Sequence, residues 1–131
     1  MAIEENSYIE YLEAVKIHFE LMRYYGEAHI GIFDPNLIES ALARPKHAAT
    51  YENADIIRQA ATLCFGLIKN HPCQGGNKRT ATALTDSFLW RNGWSLKVKR
   101  SEIIELSLNV ESNLWKIDEI ENWLRLHIEE R

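Results

Sequence analysis

Apolar residues recur every three or four positions through almost the whole chain of 131 residues. This spacing is typical of α-helices that bury one face, so it constrains the fold class before any other feature does. The chain contains no glycine- or serine-rich linker, low-complexity tract or internal repeat, and we expect one domain over residues 1–131. The pattern predicts an all-α bundle of about six helices, at roughly 8–25, 35–44, 54–69, 77–92, 100–112 and 117–129.

The apolar positions also predict which helix faces are buried. The third predicted helix is apolar on nearly all sides, so it should lie at the centre of the bundle. The fourth should bury Ala81, Leu84 and Phe88. Single buried stripes are expected on the first and last helices, formed by Tyr8, Leu12, Val15, Phe19 and Met22 and by Ile117, Ile120, Leu124 and Ile128, respectively.

Local signals set the predicted helix boundaries. Gly26 is expected to end the first helix, because glycine tolerates the left-handed conformation that often follows a helix. Asp34 can cap the second helix with Pro35 at its first position. Pro45 should end that helix, because proline disfavours the helical conformation of the residue before it. Asn53 is expected to cap the third helix.

The segment 27–34 departs from the helical pattern. It carries a short mixed apolar run with a glycine at its centre, which fits an extended conformation better than a helix. We therefore expect a short β-hairpin or extended flap between the first two helices.

Composition excludes several protein classes. Lysine and arginine total 15 against 19 acidic residues, and a net charge of −4 disfavours a protein that coats nucleic acid. The local cluster of Lys97, Lys99 and Arg100 is expected to be solvated, with a nucleic-acid site as the weaker alternative. No secretory signal or membrane-spanning apolar stretch is readable, so a cytoplasmic protein is expected. Cys64 and Cys73 are too few for a disulfide framework and should be reduced thiols.

The segment 69–80 contains the one glycine-rich joint, and it lies between the two most central predicted helices. The first turn of a helix leaves backbone N–H groups unpaired, and the helix dipole places partial positive charge there. Gly75 and Gly76, just upstream, allow the backbone to approach a ligand closely. Lys78 and Arg79 add two full positive charges. The segment therefore predicts a cradle for phosphate groups.

His71 stands at the other end of this joint, where the third predicted helix stops. An imidazole beside a bound phosphate is suited to take a proton from an incoming hydroxyl at neutral pH. Each part also has a plainer interpretation, since a lone histidine is often a structural cap and two glycines are often only a turn. A zinc site at His71 and Cys73 is not expected, because a zinc deaminase would need a downstream Cys-x-x-Cys. We predict no metal ligands in the protein.

The segment 71–81 resembles the signature H-P-F-x-D-G-N-K-R-T-A of the Fic/Doc family, and in particular its Doc-type toxin branch. The resemblance extends through Gly31–Asp34, Leu37–Pro45 and Phe88–Gly93, so that it covers roughly residues 8–128. It implies a Fic-like bundle of about six helices with a short β-hairpin flap. The eight signature positions that match are His71, Pro72, Gly76, Asn77, Lys78, Arg79, Thr80 and Ala81.

The resemblance also implies roles for individual residues. His71 would be the base that activates a hydroxyl of a target protein. Asn77, Lys78 and Arg79 would act in catalysis and, with Gly75 and Gly76, would hold the phosphates of ATP or another nucleoside triphosphate. A flap made of Ile30, Gly31, Ile32 and Phe33 would hold the target segment as an added strand.

Lys78 bears on the reaction that the resemblance implies. Members that transfer AMP usually carry glycine at this position, whereas Doc-type toxins carry lysine and resemble kinases that move the terminal phosphoryl group. Thr82, where many AMP-transferring members have a second arginine, favours the same choice. The implied function is a toxin of a toxin–antitoxin system that phosphorylates (or, as second choice, adenylylates) a translation protein such as elongation factor Tu. Its regulator would be a cognate antitoxin that inserts a helix beside the site.

Two positions depart from the family signature. Gly75 replaces the acidic residue that would bind Mg²⁺, so magnesium binding should be weakened. Cys73 replaces the phenylalanine that anchors the loop. Three interpretations follow. The chain is an active enzyme, with its metal held by nucleotide oxygens and by a substitute such as Gln74. Alternatively, it is a catalytically impaired Fic-fold binding protein, or it is an attenuated toxin. The sequence alone leaves these three interpretations open.

Overall fold

The fold is described from a computed structural model over residues 6–26, 34–73 and 76–131. These residues form six helices and one short pair of strands, which confirms the predicted all-α bundle of about six helices. The elements are α1 (Tyr11–Tyr24), α2 (Pro35–Glu52), α3 (Ile56–Asn70), α4 (Asn77–Arg91), β1 (Trp94–Leu96), α5 (Arg100–Glu111), α6 (Ile117–His127) and β2 (Ile128–Glu130).

Helix α3 forms the centre of the bundle, as its sequence predicts. It packs against α2, α4 and α6, and ten of its fifteen residues are buried. Helix α4 runs beside it and buries Ala81, Leu84 and Phe88 completely, which confirms the predicted face. The joint between α3 and α4 therefore extends from the best-packed part of the protein, so its two ends are rigidly held.

Helix α2 is longer than its sequence predicts, because Pro45 lies inside the helix and does not end it. Proline supplies no N–H for a helical hydrogen bond, which destabilises a helix interior. Here the proline ring is buried, and the extensive packing of α2 on α3 offsets the missing bond. The prediction that Asn53 caps α3 is also wrong. Asn53 ends α2 in a left-handed conformation with φ 54°, and the Asp55 carboxylate caps α3 by accepting from the Arg58 N–H at 2.8 Å.

Helix α1 buries Met22 of the predicted stripe, but the rest of its buried face differs from the prediction. Its buried residues are Ala14, His18 and Met22, whereas Leu12 and Phe19 are exposed. The helix contacts mainly α4 and covers it with a narrow face. A histidine occupies the buried position because its ring finds a hydrogen-bond partner on α4, which an apolar pattern does not reveal.

The first strand follows α4 and the second follows α6. β1 pairs antiparallel with β2, with Trp94 opposite Glu130 and Leu96 opposite Ile128. Ile128 therefore belongs to a strand and not to the stripe of α6, which ends at His127. The hairpin flap expected near 27–34 falls on residues 27–33, outside the described part of the chain. No helix in the described part is both long and apolar enough to cross a membrane.

Candidate phosphate site at the joint between α3 and α4

The joint that connects α3 to α4 turns on two residues with left-handed backbone. His71 ends α3 with φ 46° and ψ 57°, and Gly76 precedes α4 with φ 68°. A Cβ atom at Gly76 would lie 2.4 Å from Cε of Met22, which packs beneath the turn from α1. The left-handed conformation favours glycine here, and a larger residue would also have to displace the flexible end of the Met22 side chain.

The side chain of Asn77 closes the joint into a ring. Its amide oxygen accepts from the Cys73 N–H at 2.9 Å, and its amide nitrogen donates to the Cys73 carbonyl at 2.8 Å. The family resemblance implies that Asn77 acts in catalysis and helps to hold the phosphates. The structure commits its side chain to Cys73, so its direct contribution to a ligand is the backbone N–H in the first turn of α4.

Five of the predicted site residues lie at one open hollow of about 340 Å³. It is lined by His71, Gly76, Asn77, Lys78, Arg79 and Glu111. The first turn of α4 lines this hollow, and the N–H groups and dipole of a helix N-terminus favour an anion. Gln74 and Gly75 fall outside the described residues.

Two cations stand at the hollow, each with a protein contact. The Arg79 guanidinium lies over the ring of Tyr25, 4.1 Å from its centroid, at the end of α1. The Nζ atom of Lys78 lies 3.1 Å from Oε2 of Glu111, the last residue of α5. The sequence analysis missed Glu111. Its one local signal is an acidic residue at the carboxyl end of a helix, where the dipole favours a cation.

A buried histidine of α1 contacts the first turn of α4. Nδ1 of His18 lies 2.8 Å from Oγ1 of Thr80, and both residues are buried. Burial lowers the pKa of His18 below its ordinary value, so the ring is neutral at pH 7. The apolar pattern gives no sign that His18 is buried, and this contact joins residues 62 positions apart, so no local signal reveals it.

The residues on either side of the predicted flap are both anchored at the joint. The Asp34 N–H donates to the Pro72 carbonyl at 2.9 Å, next to His71. Tyr25, which precedes the segment, contacts Arg79. The flap residues themselves, Ile30, Gly31, Ile32 and Phe33, lie outside the described part of the chain, and their role in holding a target stays a prediction.

A larger groove of about 580 Å³ shares Lys78 and Arg79 with the hollow. Its wall is mainly apolar and comes from α1, α4, β1 and α5, including the exposed side chains of Ile104 and Leu108. The groove also contains Ser107, whose buried Oγ atom has no hydrogen-bond partner within the described chain. Arg100, from the predicted basic cluster, lines the same groove. This residue of the basic cluster therefore borders a mainly apolar groove.

Neither cysteine has the properties of a reactive or metal-binding residue. Both thiols are free and buried, and burial raises the pKa of Cys64 and that of Cys73 to about 12. They are therefore protonated at neutral pH and poor nucleophiles. Across the described ranges, no group of three or more His, Cys, Asp or Glu side chains is arranged to hold a metal ion.

Comparison with known proteins identifies the family. The model of the Fic/DOC family matches residues 8–89, which include α1 to α4 up to its last turn and the whole joint. Comparison with curated proteins finds no significant match.

Proposed function

Since the chain belongs to the Fic/DOC family, we propose that it is a Doc-like toxin of a toxin–antitoxin pair that transfers a phosphoryl group from a nucleoside triphosphate to a hydroxyl of a translation protein. The observation that carries this proposal is the meeting of His71, Lys78, Arg79 and the first turn of α4 at one hollow. A base and a positively charged cradle are two of the features that phosphoryl transfer to an alcohol uses.

The proposed step uses the residues at the hollow as follows. His71 takes the proton of the target hydroxyl, and the oxygen attacks the terminal phosphorus. The bond between that phosphorus and its bridging oxygen breaks, and the nucleoside diphosphate leaves with the electron pair. Lys78, Arg79 and the N–H groups of α4 stabilise the negative charge on the phosphate oxygens. Adenylyl transfer would instead place the α-phosphorus at the same position and release pyrophosphate.

Lys78 supports the choice of phosphoryl transfer. Its side chain stands at the mouth of the hollow and is about half exposed (49%). A lysine there fills space that an AMP-transferring member leaves open and adds charge for a terminal phosphate. A nucleotide whose terminal phosphate contacts Lys78 would present its outermost phosphorus to His71.

The residues at the hollow do not fit a magnesium ion held by the protein. Position 75 carries no acid, and Glu111 is the one carboxylate among the described residues that line the hollow. Glu111 already pairs with Lys78. Magnesium prefers carboxylates together with substrate phosphates, so we derive no step through the metal.

We propose that the larger groove is the surface that binds the antitoxin. An amphipathic helix can lay its apolar face on Ile104 and Leu108, and an acidic residue on it can pair with Arg79 or Arg100. Because Lys78 and Arg79 border both cavities, a helix in the groove would compete with nucleotide. Leu108→Asp should abolish binding of the cognate antitoxin and leave nucleotide affinity unchanged.

A second candidate function is a binding protein that retains the phosphate pocket without catalysis. The loss of the acidic residue at position 75 favours it. Its discriminating variant is Gly75→Asp, which restores the family's acid. If transfer or growth arrest appears only in this variant, the natural chain is catalytically attenuated. If wild type is already as active as the variant, this second candidate fails.

The decisive experiment incubates the purified chain with elongation factor Tu, Mg²⁺ and ATP labelled at either the γ- or the α-phosphate. Transfer of the γ-label, lost in His71→Ala, is the expected result. Transfer of the α-label would correct the proposal to adenylylation. Absence of both labels from the factor, with wild type and His71→Ala equally inert, would remove the enzyme function.

A further inference from the structure

A further groove lies between α5 and α6, and we call it the α5–α6 groove. Its volume is about 370 Å³, and it shares no lining residue with the phosphate hollow or with the larger groove. Helix α5 contributes Glu102 and Glu105 to it, whereas Ile104 and Leu108 of the same helix line the larger groove. Because each residue advances about 100° around a helix, these two pairs lie on different sides of α5. The groove also lies beyond residue 89, where the match to the family model ends.

The apolar part of the α5–α6 groove is largely aromatic. It contains Trp115, which follows α5 and is only half-buried, and Trp123 of α6, which is 6% exposed. The ring of Trp123 lies 4.6 Å from that of His127, measured between centroids. Leu126, which is 81% exposed, borders the same surface. The electron-rich face of an indole attracts a cation, so this wall favours a cationic ligand over a neutral one.

The same groove carries three carboxylates, and no lysine or arginine is among the described residues that line it. Two of the acids are held in place at the first turns of their helices. Oε1 of Glu102 accepts from the Lys99 N–H, and Oε1 of Glu119 accepts from the Lys116 N–H, both at 2.8 Å. The third acid is Glu105. The groove is therefore acidic as well as aromatic.

The third carboxylate has no partner of its own. Within the described part of the chain, the Glu105 side chain makes no hydrogen bond or ion pair, and it is exposed. Glu102, by contrast, also lies 2.6 Å from Nε2 of His127 through its second oxygen. The Lys99 N–H and, after it, His127 lower the pKa of Glu102, so this carboxylate is ionised at neutral pH. Glu105 is the acid that an external cation can engage without breaking an internal contact.

We propose that the α5–α6 groove is a docking site for an arginine side chain on a basic segment of a partner protein. A guanidinium is a planar cation that stacks on an aromatic ring and binds a carboxylate through two parallel hydrogen bonds. The groove supplies both contacts, with the ring of Trp115 and the carboxylate of Glu105. The flanking carboxylates of Glu102 and Glu119 favour further positive charge on the same segment. This docking site uses no residue of the proposed phosphoryl transfer and can be tested independently of it.

The test adds a short peptide of alternating glycine and arginine, acetylated and amidated at its ends, to the full chain labelled with ¹⁵N. Two-dimensional spectra then follow the indole N–H signals of the four tryptophans. We expect the signals of Trp115 and Trp123 to shift. Those of Trp90, on α4, and Trp94, in β1, should stay in place, because neither residue lines the groove.

Two variants test the two contacts. Glu105→Gln removes the carboxylate and Trp115→Leu removes the aromatic ring, and each should weaken peptide binding about two- to fivefold. Glu39→Gln is the matched control, because Glu39 is an exposed acid on α2 whose loss changes the net charge equally. Trp115 packs partly against the core, so thermal melting checks the fold of Trp115→Leu, and Glu105→Gln alone decides if that variant is unfolded.

Four results would overturn the proposal. They are no shift of the Trp115 signal, equal shifts of all four indole signals, unchanged affinity in Glu105→Gln, and an equal loss of affinity in Glu39→Gln. The second and fourth would mean that the peptide is attracted only by the net negative charge of the protein. A peptide with lysine in place of arginine should bind more weakly, and equal affinity would overturn the choice of arginine.

Discussion

The two ends of helix α4 are built for different purposes. Its first turn follows a left-handed glycine and carries Lys78 and Arg79 at an open, charged hollow. Its later turns bury Leu84, Phe88 and Leu89 completely against the core. The buried end fixes the position and direction of the helix axis, and the open end can then present N–H groups and cations without packing constraints. Substitutions at one end should change chemistry, and those at the other should change stability.

The largest effect on activity is expected for His71→Ala. His71 ends α3 and lines the same hollow as the open end of α4. Loss of a general base typically lowers a rate by about 10²–10⁴-fold. Because His71 is exposed, the melting temperature should stay that of wild type. Initial rates of label transfer measure the effect, with His47→Ala, an exposed histidine on α2, as the control. A His71→Ala protein that retains the wild-type rate would contradict the assigned role.

At the buried end, Phe88→Ala should lower the free energy of unfolding by about 3–5 kcal/mol, because it leaves a cavity in a fully buried site. Urea denaturation followed by circular dichroism measures the change. Leu126→Ala serves as control, since Leu126 is 81% exposed and its loss should have little effect. Similar destabilisation by both substitutions would mean that the packing around α4 is not as described.

Asn77→Ala lies between the two extremes, because it removes both hydrogen bonds to Cys73. We expect a loss of about 1–3 kcal/mol in unfolding free energy, together with weaker triphosphate binding from a less ordered joint. Asn122→Ala, at an exposed asparagine of α6, controls for the change in side chain. Undiminished triphosphate affinity in Asn77→Ala would show that the ring is not needed for the cradle.

The smallest effect concerns pH and His18, which supports α4 from behind. Burial lowers the pKa of His18 in the folded protein, whereas the unfolded chain takes up a proton near pH 6.5. Stability should therefore be unaffected above that pH and should fall as the pH decreases toward the lower folded pKa. In His18→Asn this fall should be shallower, and in the exposed control His47→Asn it should match wild type. Denaturation midpoints between pH 7.5 and 5 give the comparison.

The sequence predicts the α3–α4 part of the fold well, because both helices bury apolar faces that their periodicity reveals. It fails at Pro45, where tertiary packing offsets a local rule, and at β2, whose conformation depends on pairing with a strand more than thirty residues earlier. The position of the joint is predicted from its own glycines and cations, which are local signals. Glu111 and His18 were missed because each acts through a contact between distant parts of the chain.

The ring formed by Asn77 and Cys73 has a thermodynamic consequence for any ligand of the joint. A disordered loop would have to lose conformational entropy on binding, and that loss would reduce the affinity. Here two hydrogen bonds already hold Asn77 against Cys73 in the free protein. An anion bound at the first turn of α4 would therefore meet an Asn77 that is already positioned, and the cost of ordering this residue would be smaller.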